Sequence, residues 1–166
     1  SVASFLRQIW LTAGLNAASI GTVGLVTAKG ETALSHTTPD PIALHEMLRD
    51  LCDEGISHVA LEASSHGLAQ YRIDGVRLKA AGFTNISRDH LDYHAGFDDS
   101  FASTLRLFSE VLPPGAAAVV NADSAHAGAV LAVPARRGPA VLSVGGAGTA
   151  LRLVPHPRPP QGPAPV

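Results

Sequence analysis

The residue types best suited to chemistry cluster between Glu62 and His94. Glu62 opens this stretch with a carboxylate, and Gln70 and Arg72 follow it after a Ser-Ser-His run. A carboxylate together with imidazole groups suits a divalent cation, and a nearby arginine suits a carboxylate or a phosphate. The alternative interpretation is structural, with Glu62 capping the following turn and the histidines as ordinary surface groups. Their clustering indicates a site without naming its reaction.

The elements that would position this cluster alternate between strand and helix. Continuous apolar runs predict strands at residues 17–20, 58–63, 78–85, 116–121 and 140–144. Helical spacing and capping signals, among them Asp40 before Pro41, predict helices at residues 2–10, 41–54, 97–112 and about 124–133. This pattern is typical of an α/β fold, with a mostly parallel sheet and helices on both faces. Ligands of such folds bind beyond the carboxyl ends of the strands, where Glu62, Asn85 and Asn121 fall.

Composition excludes several classes of protein. The 166 residues are 46% hydrophobic and 16% charged, which predicts a folded domain. A formal net charge of −2 without a basic run gives no support to nucleic-acid binding. No apolar run approaches the roughly 20 residues of a membrane span, and no signal peptide is recognisable, so we expect a cytoplasmic protein without membrane insertion. The lone cysteine, Cys52, excludes an internal disulfide and a cysteine metal cluster.

The carboxyl-terminal residues differ in character from the rest of the chain. Six of the twelve residues from Pro155 to Val166 are proline, and the segment has no apolar periodicity. We therefore divide the chain into a domain at residues 1–153 and a proline-rich tail at residues 154–166 that is extended or disordered.

Two motifs in the chemical stretch closely resemble a known signature. LEASSHGLAQYRIDGV, followed by FTNISRDHLDYH, resembles the Mur ligase family, and the upstream IGTVG and HTTPDP segments match it in order and spacing. The resemblance reaches about Arg152. It is to the subfamily that adds diaminopimelate or lysine to UDP-N-acetylmuramoyl-L-alanyl-D-glutamate in peptidoglycan synthesis. The resemblance implies the central, ATP-binding domain of such an enzyme, which is a monomer in this family.

The resemblance also implies a reaction and its site residues. ATP would phosphorylate the D-glutamyl carboxylate, Mg²⁺ would neutralise the transferring phosphoryl group, and the incoming amine would attack the acyl phosphate. Contacts to the UDP-N-acetylmuramoyl dipeptide would come from Thr37, Thr38, Ser64, Gln70 and Arg72. Arg72 would be their charged anchor. Turn chemistry before Pro39 is a competing interpretation of the two threonines.

The magnesium ligands implied by the resemblance are Glu62 and His90. Asp89 and Asp92 would support them or cap the local turn. The family also has a magnesium-binding carbamylated lysine, and Thr104 occupies its position here. A short neutral hydroxyl cannot replace a long anionic carbamate, so we expect a weakened second metal site.

Other parts of the family pattern are not in this sequence. The phosphate loop should stand immediately before Ser1, and a carboxyl-terminal domain should select the amino acid to be added. We therefore expect a truncated domain that is inactive alone. Without the strand that leads into the phosphate loop, the strand near Ile20 and the strand ending at Ala63 should be incompletely paired, and the first helix should begin raggedly at Ser1.

Three functions remain open from the sequence. The first is a fragment of an ATP-dependent amide ligase, with diaminopimelate as the amino acid. The second is a non-catalytic module that binds the muramyl nucleotide, or a decayed gene product. The third is folylpolyglutamate synthetase, which shares the fold, although the SSHGLAQYR and DHLDYH motifs fit the muramyl subfamily better.

Overall fold

A computed structural model describes residues 1–86, 96–135 and 140–154 of the chain. The helices are α1 (Val2–Thr12), α2 (Pro41–Asp53), α3 (Ser65–Ala69), α4 (Phe97–Arg106) and α5 (Ala127–Ala135), and a π-helical segment, Leu107–Val111, continues α4. The strands are β1 (Ala17–Gly21), β2 (Gly24–Thr27), β3 (Gly30–Thr32), β4 (His58–Leu61), β5 (Ala80–Phe83), β6 (Ala117–Asn121), β7 (Val141–Gly145) and β8 (Leu151–Arg152). Among these described residues, no helix is long and apolar enough to cross a membrane. Of the predicted tail at residues 154–166, residues 155–166 lie outside the described residues.

The strands form two four-stranded sheets. The second sheet has the order β5-β6-β7-β8, and all its neighbours are parallel, as the apolar runs predict. The first has the order β3-β2-β1-β4 and is mixed, since only β1 and β4 run parallel. The prediction of one mostly parallel sheet is therefore wrong for the first half. Its error comes from the glycine-punctuated residues 21–32, which form antiparallel strands too short to give an apolar run.

A two-residue turn joins β1 to β2 and explains this hairpin. Gly21 pairs with Gly24 across the turn, and Gly24 has a φ of +125°, which side-chain-bearing residues rarely adopt. A β-carbon at position 24 would also collide with the carbonyl group of Thr32. Glycine at this position thus permits both the turn and the approach of β3.

The pairing of β1 and β4 tests the expectation that each of these strands lacks a neighbouring strand. β4 pairs with β1 and, within the described residues, with no strand on its other edge, so incomplete pairing of the strand that ends near Ala63 is confirmed. The same expectation is wrong for the strand near Ile20, because β2 occupies the second edge of β1. The predicted ragged helix start is also wrong, since the Ser1 hydroxyl caps α1 by accepting the amide N–H of Ser4 at 3.4 Å.

One hydrophobic core joins the two sheets. Ile20 and Leu44 from the first half are fully buried, and they belong to the same cluster as Phe108, Val120 and Val130 from the second half. Every residue of β1 is buried, because α1 packs against it and strands flank both its edges. Apolar runs at 17–20 and 116–121 therefore mark the centre of the molecule.

Candidate functional site

The hydroxyl of Thr38 is the centre of a hydrogen-bonded network that follows β4. It donates to the carbonyl oxygen of Glu62 at 2.9 Å and accepts the amide N–H of Ser64 at 3.0 Å. Because a hydroxyl has one proton, the remaining 3.1 Å contact is a donation from Ser64 Oγ to Thr38. Thr38 is only 1% exposed, so it holds the backbone after β4 in place from inside the protein.

Ser64 continues the network into α3. Its side chain accepts the amide N–H of Gly67 at 3.0 Å and thereby caps the helix. Gly67 is buried against Thr38, and a β-carbon there would lie 2.7 Å from the threonine Cβ. The helix therefore approaches the threonine as closely as it does only because residue 67 has no side chain.

Arg72 and Gln70 complete the same network from the turn after α3. The Nη1 group of Arg72 donates to the carbonyl oxygen of Thr38 at 2.8 Å. Its Nε and Nη2 groups both donate to Gln70 Oε1, at 2.9 and 2.6 Å. Three of the five N–H groups of the guanidinium are used in these bonds, which fix its plane. The result is a half-buried cation held beside the end of β4.

Glu62 lies at the end of β4 and points its carboxylate at the β1–β2 turn. Its Oε2 accepts the amide N–H of Thr22 at 2.9 Å and the Thr22 hydroxyl at 3.0 Å. Partial burial pushes the pKa of Glu62 up, but hydrogen bonds from Ser1 and Thr22 outweigh it, so the net pKa lies below the ordinary value. Gly21 makes this approach possible, because a β-carbon there would lie 2.6 Å from the same Oε2.

Thr37 links Thr22 and Glu62 to the network around Thr38. Its hydroxyl lies 3.2 Å from that of Thr22, whose hydroxyl is in turn bonded to Glu62. Sequence reasoning assigned Thr22 no role, although the IGTVG segment that supported the resemblance contains it. The predicted substrate residues Thr37, Thr38, Ser64, Gln70 and Arg72 and the predicted metal ligand Glu62 thus lie in one connected group.

Comparison with known proteins identifies the family of the chain. Residues 1–155 match the Mur ligase middle domain family. The chain belongs to the Mur ligase family. Its relatives include the UDP-N-acetylmuramoyl-L-alanyl-D-glutamate–2,6-diaminopimelate ligase of Bradyrhizobium diazoefficiens, which is 52% identical over 157 residues, or 92% of this chain and 32% of the relative. The ligase of the same description from Caulobacter vibrioides is 48% identical over 168 residues, or 98% of this chain and 35% of the relative.

A solved structure agrees with these relatives. It is described as a UDP-N-acetylmuramoyl-L-alanyl-D-glutamate–2,6-diaminopimelate ligase and superposes with a TM-score of 0.76 at 32% sequence identity. The superposition covers 86% of this chain and 29% of that one. The chain therefore spans about a third of the length of the Mur ligases it matches.

Of the two predicted magnesium ligands, Glu62 lies within the described residues. Within residues 1–86, 96–135 and 140–154, no three His, Cys, Asp or Glu side chains come together as a metal-binding group. Mg²⁺ commonly takes only one or two carboxylates and completes its shell with water and substrate phosphates. Glu62, at a strand end with a lowered pKa, fits the role of such a ligand. The second predicted ligand, His90, lies outside the described residues, as do Asp89 and Asp92.

Thr104 lies on α4, where the Mur ligase resemblance places a carbamylated lysine. Its hydroxyl donates to the carbonyl oxygen of Ser100 at 3.0 Å, a local bond within the helix. The side chain is half-buried and neutral. Position 104 therefore presents neither an anionic oxygen nor a long arm.

A second set of polar side chains connects the carboxyl ends of the strands in the parallel sheet. Asn121 Nδ2 donates to the carbonyl oxygen of Thr84 at 2.9 Å, which ties β6 to the end of β5. The Asp123 carboxylate accepts the amide N–H groups of Gly146 and Ala147 at 2.7 and 2.8 Å, which ties β6 to the loop after β7. Those two bonds lower the pKa of Asp123. The Asn-Ala-Asp element thus supports the architecture of the sheet edge where ligands of α/β folds bind.

Proposed function

We propose that this chain forms the middle domain of a ligase that joins diaminopimelate to UDP-N-acetylmuramoyl-L-alanyl-D-glutamate in the cytoplasm. The observation that carries the proposal is the single network in which Thr38 holds Ser64, Arg72 and the end of β4 together. The relatives that share this sequence are diaminopimelate ligases by description. A middle domain with an intact muramyl-binding network is what such an enzyme requires.

Arg72 supplies the charge that the muramyl dipeptide requires. A guanidinium whose plane is already fixed by Gln70 and Thr38 loses little rotational freedom when it meets a carboxylate or phosphate. Thr38 is buried, so its part is to orient Ser64 and Arg72. Thr37 and Ser64 are half-buried, and we propose that they contact the substrate directly.

Glu62 and His90 would hold Mg²⁺, and ATP with Mg²⁺ supplies the phosphoryl group that activates the D-glutamyl carboxylate. The lowered pKa of Glu62 keeps its carboxylate ionised at neutral pH, as a magnesium ligand must be. The 166-residue sequence holds no Gly-Lys-Thr type phosphate loop, and Thr104 replaces an anionic ligand. We therefore propose that this chain, purified by itself, releases no phosphate from ATP.

A chimaera with the Caulobacter vibrioides relative tests the ligase function. This chain would replace the matched segment of that enzyme, with Thr104→Lys included, and incorporation of labelled diaminopimelate into the UDP-muramyl dipeptide would be measured. We expect ligation that depends on ATP and Mg²⁺, and a loss of roughly 100-fold on Arg72→Met. The control Arg49→Met removes an exposed arginine of α2 and should leave activity unchanged. A folded chimaera with no ligation would overturn the proposal.

The threonine at position 104 favours one alternative, a module that binds the muramyl nucleotide without catalysis. In that case the unmodified chain should bind the UDP-muramyl dipeptide in a calorimetric titration, while the Thr104 chimaera stays inactive whatever the bicarbonate concentration. Ligation by the unmodified Thr104 chimaera that depends on ATP and Mg²⁺ would overturn the module. Dipeptide binding with no turnover in either form supports the module.

A further inference from the structure

Arg106, the last residue of α4, is held by groups outside its own helix. Its Nη1 donates to Asp74 Oδ1 at 2.8 Å and to the carbonyl oxygen of Leu68 at 3.2 Å, and its Nη2 donates to Asp74 Oδ2. The arginine side chain is only 12% exposed, whereas that of Asp74 is 41% exposed, so water reaches this two-point ion pair from the carboxylate side. Glu110 Oε2 lies 2.8 Å from Nε but is poorly aligned for a hydrogen bond, so it adds charge without a directional contact.

The same guanidinium lies over the ring of Tyr71. Its Cζ is 4.0 Å from the ring centroid, within the range of a cation–π interaction. Tyr71 has a φ of +58°, and in the described part of the chain it is the one non-glycine residue in the left-handed region. A bulky aromatic residue is strained there and persists only when its surroundings hold it. Arg106 contacts Tyr71 from above, while Asp74 and Leu68 fix Arg106 on either side of that turn.

The strained residue separates the two predicted substrate contacts of the turn. Gln70 and Arg72 flank Tyr71, whose left-handed backbone turns the chain back at the end of α3, where Arg72 bonds to Gln70 Oε1 and its amide N–H to the carbonyl oxygen of Gly67 at 2.9 Å. Relaxation of Tyr71 to an ordinary φ would swing Arg72 away from both Gln70 and Thr38. The direction of Arg72 therefore depends on the backbone conformation of its neighbour.

We propose that Arg106 and Asp74 are positioning residues, which hold Tyr71 in its left-handed conformation and so orient Arg72 toward the anionic substrate. The inference rests on the proposed function for the role of Arg72. It also links two parts of the site, because Arg106 lies two residues after Thr104 on α4. The helix that carries position 104 is thereby fastened to the turn that carries Arg72.

The test uses the ligand-free chain labelled with ¹⁵N-arginine, in which the Arg72 Nε–H group gives its own resonance. In the unmodified chain this proton is bonded to Gln70 and should exchange slowly with water. Arg106→Met should raise its exchange rate about tenfold or more, and Arg106→Lys should do the same, because a lysine cannot make the two-point contact. Arg49→Met, which removes an exposed arginine paired with Asp50, should leave it unchanged.

The deciding variant is Arg106→Met combined with Tyr71→Asn. Asparagine adopts the left-handed region far more readily than tyrosine, so the turn should no longer need Arg106 and the Arg72 proton should regain its protection. If the Arg72 Nε–H proton still exchanges slowly with water in folded Arg106→Met, the proposal is overturned. A double variant that folds but stays unprotected overturns it as well, since Arg106 would then act only on general stability. A single variant that fails to fold leaves the decision to the double variant and to Arg106→Lys.

The ligase chimaera separates this inference from the proposed function. Arg106→Met there should raise KM for the muramyl dipeptide about tenfold or more with a smaller change in kcat, and Tyr71→Asn should reverse that rise. Arg106→Met could speed the exchange of the Arg72 Nε–H proton without changing KM. That result would support the positioning role of Arg106 and would overturn the assignment of Arg72 to substrate binding. A chimaera without any activity would count against the proposed function alone.

Discussion

Gly67 packs so closely on Thr38 that a β-carbon at position 67 would lie 2.7 Å from the threonine Cβ, 2.8 Å from its Cγ2 and 2.9 Å from its Oγ1. The threonine has no room to move aside, since it is buried and bonded to Glu62 and Ser64. The contact fixes the distance between α3 and the segment before α2. The predicted substrate residues on both segments depend on it.

Gly67→Ala should therefore destabilise the fold by about 1 to 3 kcal/mol through overpacking. Gly128→Ala is a matched control, because Gly128 is also helical and a β-carbon added there would meet nothing within 4 Å. That control should be neutral or stabilising by up to about 1 kcal/mol from helix propensity. Urea unfolding of both variants measures the difference. Equal stability of the two variants would contradict the close packing described above.

Thr38→Val should remove the centre of the network while keeping the shape of the side chain. The carbonyl of Glu62 and the N–H of Ser64 would lose their partner, at a cost of about 1 to 3 kcal/mol. Thr12→Val, at the exposed end of α1, should change stability by less than about 0.5 kcal/mol. Thermal unfolding of the two variants decides the matter, and a Thr38→Val protein as stable as wild type would show that the network contributes little.

Thr104→Lys in the ligase chimaera should raise diaminopimelate incorporation by a factor of roughly 10 to 100 when bicarbonate is present. The reason is that a carbamylated lysine supplies anionic oxygens, whereas the threonine hydroxyl is bonded to Ser100. Thr104→Met, which has a long side chain without an amine, is the control and should give no gain. If the threonine form already works as well as the lysine form, position 104 has no role in metal binding.

The acid stability of the chain should depend on Glu62. Its pKa is lower in the folded protein than the ordinary value of about 4.5, so its ionised form stabilises the fold above that pH. This contribution should disappear as the pH falls through the lowered folded pKa. Glu62→Gln should give a flatter loss of stability below about pH 4.5, while Glu31→Gln on the exposed strand β3 should follow wild type. Chemical unfolding at several pH values gives the two curves, and parallel curves for Glu62→Gln and wild type would refute this role.

Those parts of the fold that depend on local sequence patterns could be predicted. The capped start of α2 at Asp40 is as predicted, since its side chain accepts the N–H groups of Ile42 and Ala43. The strands at residues 17–20 and 116–121 are found within a residue of their predicted bounds, because each is an apolar run that lies between neighbouring strands in the core. Short exposed strands such as β3 carry no such pattern, since their pairing comes from a neighbour and not from burial.

The residues of the candidate site could be named from the sequence, but the contacts between them could not. Family resemblance pointed to Thr38, Ser64 and Arg72, and the structure brings them together. No local pattern could show that Thr38 is buried, or that Arg106 reaches back over 32 residues to Asp74. Such long-range ion pairs depend on how helices pack, which one sequence does not reveal. The left-handed φ of Tyr71 accompanies two local bonds that close α3, from the amide N–H of Tyr71 to Leu68 and from that of Arg72 to Gly67, but a tyrosine at that position has no signature in residue type.

The division of the strands between two sheets follows the order of the chain. β1 to β4 all lie before residue 62 and β5 to β8 all lie after residue 79, and no strand of one set pairs with a described strand of the other. Each sheet can therefore form from its own half of the chain as soon as that half has been synthesised, without waiting for the other. Within the described residues, the shared core, the packing of α3 on α4 and the contacts of Arg106 must then be made between the halves. On the ribosome, the half that carries Thr38, Glu62 and Ser64 would emerge first, and the network that we propose for muramyl binding would gain the support of Arg106 when α4 arrives.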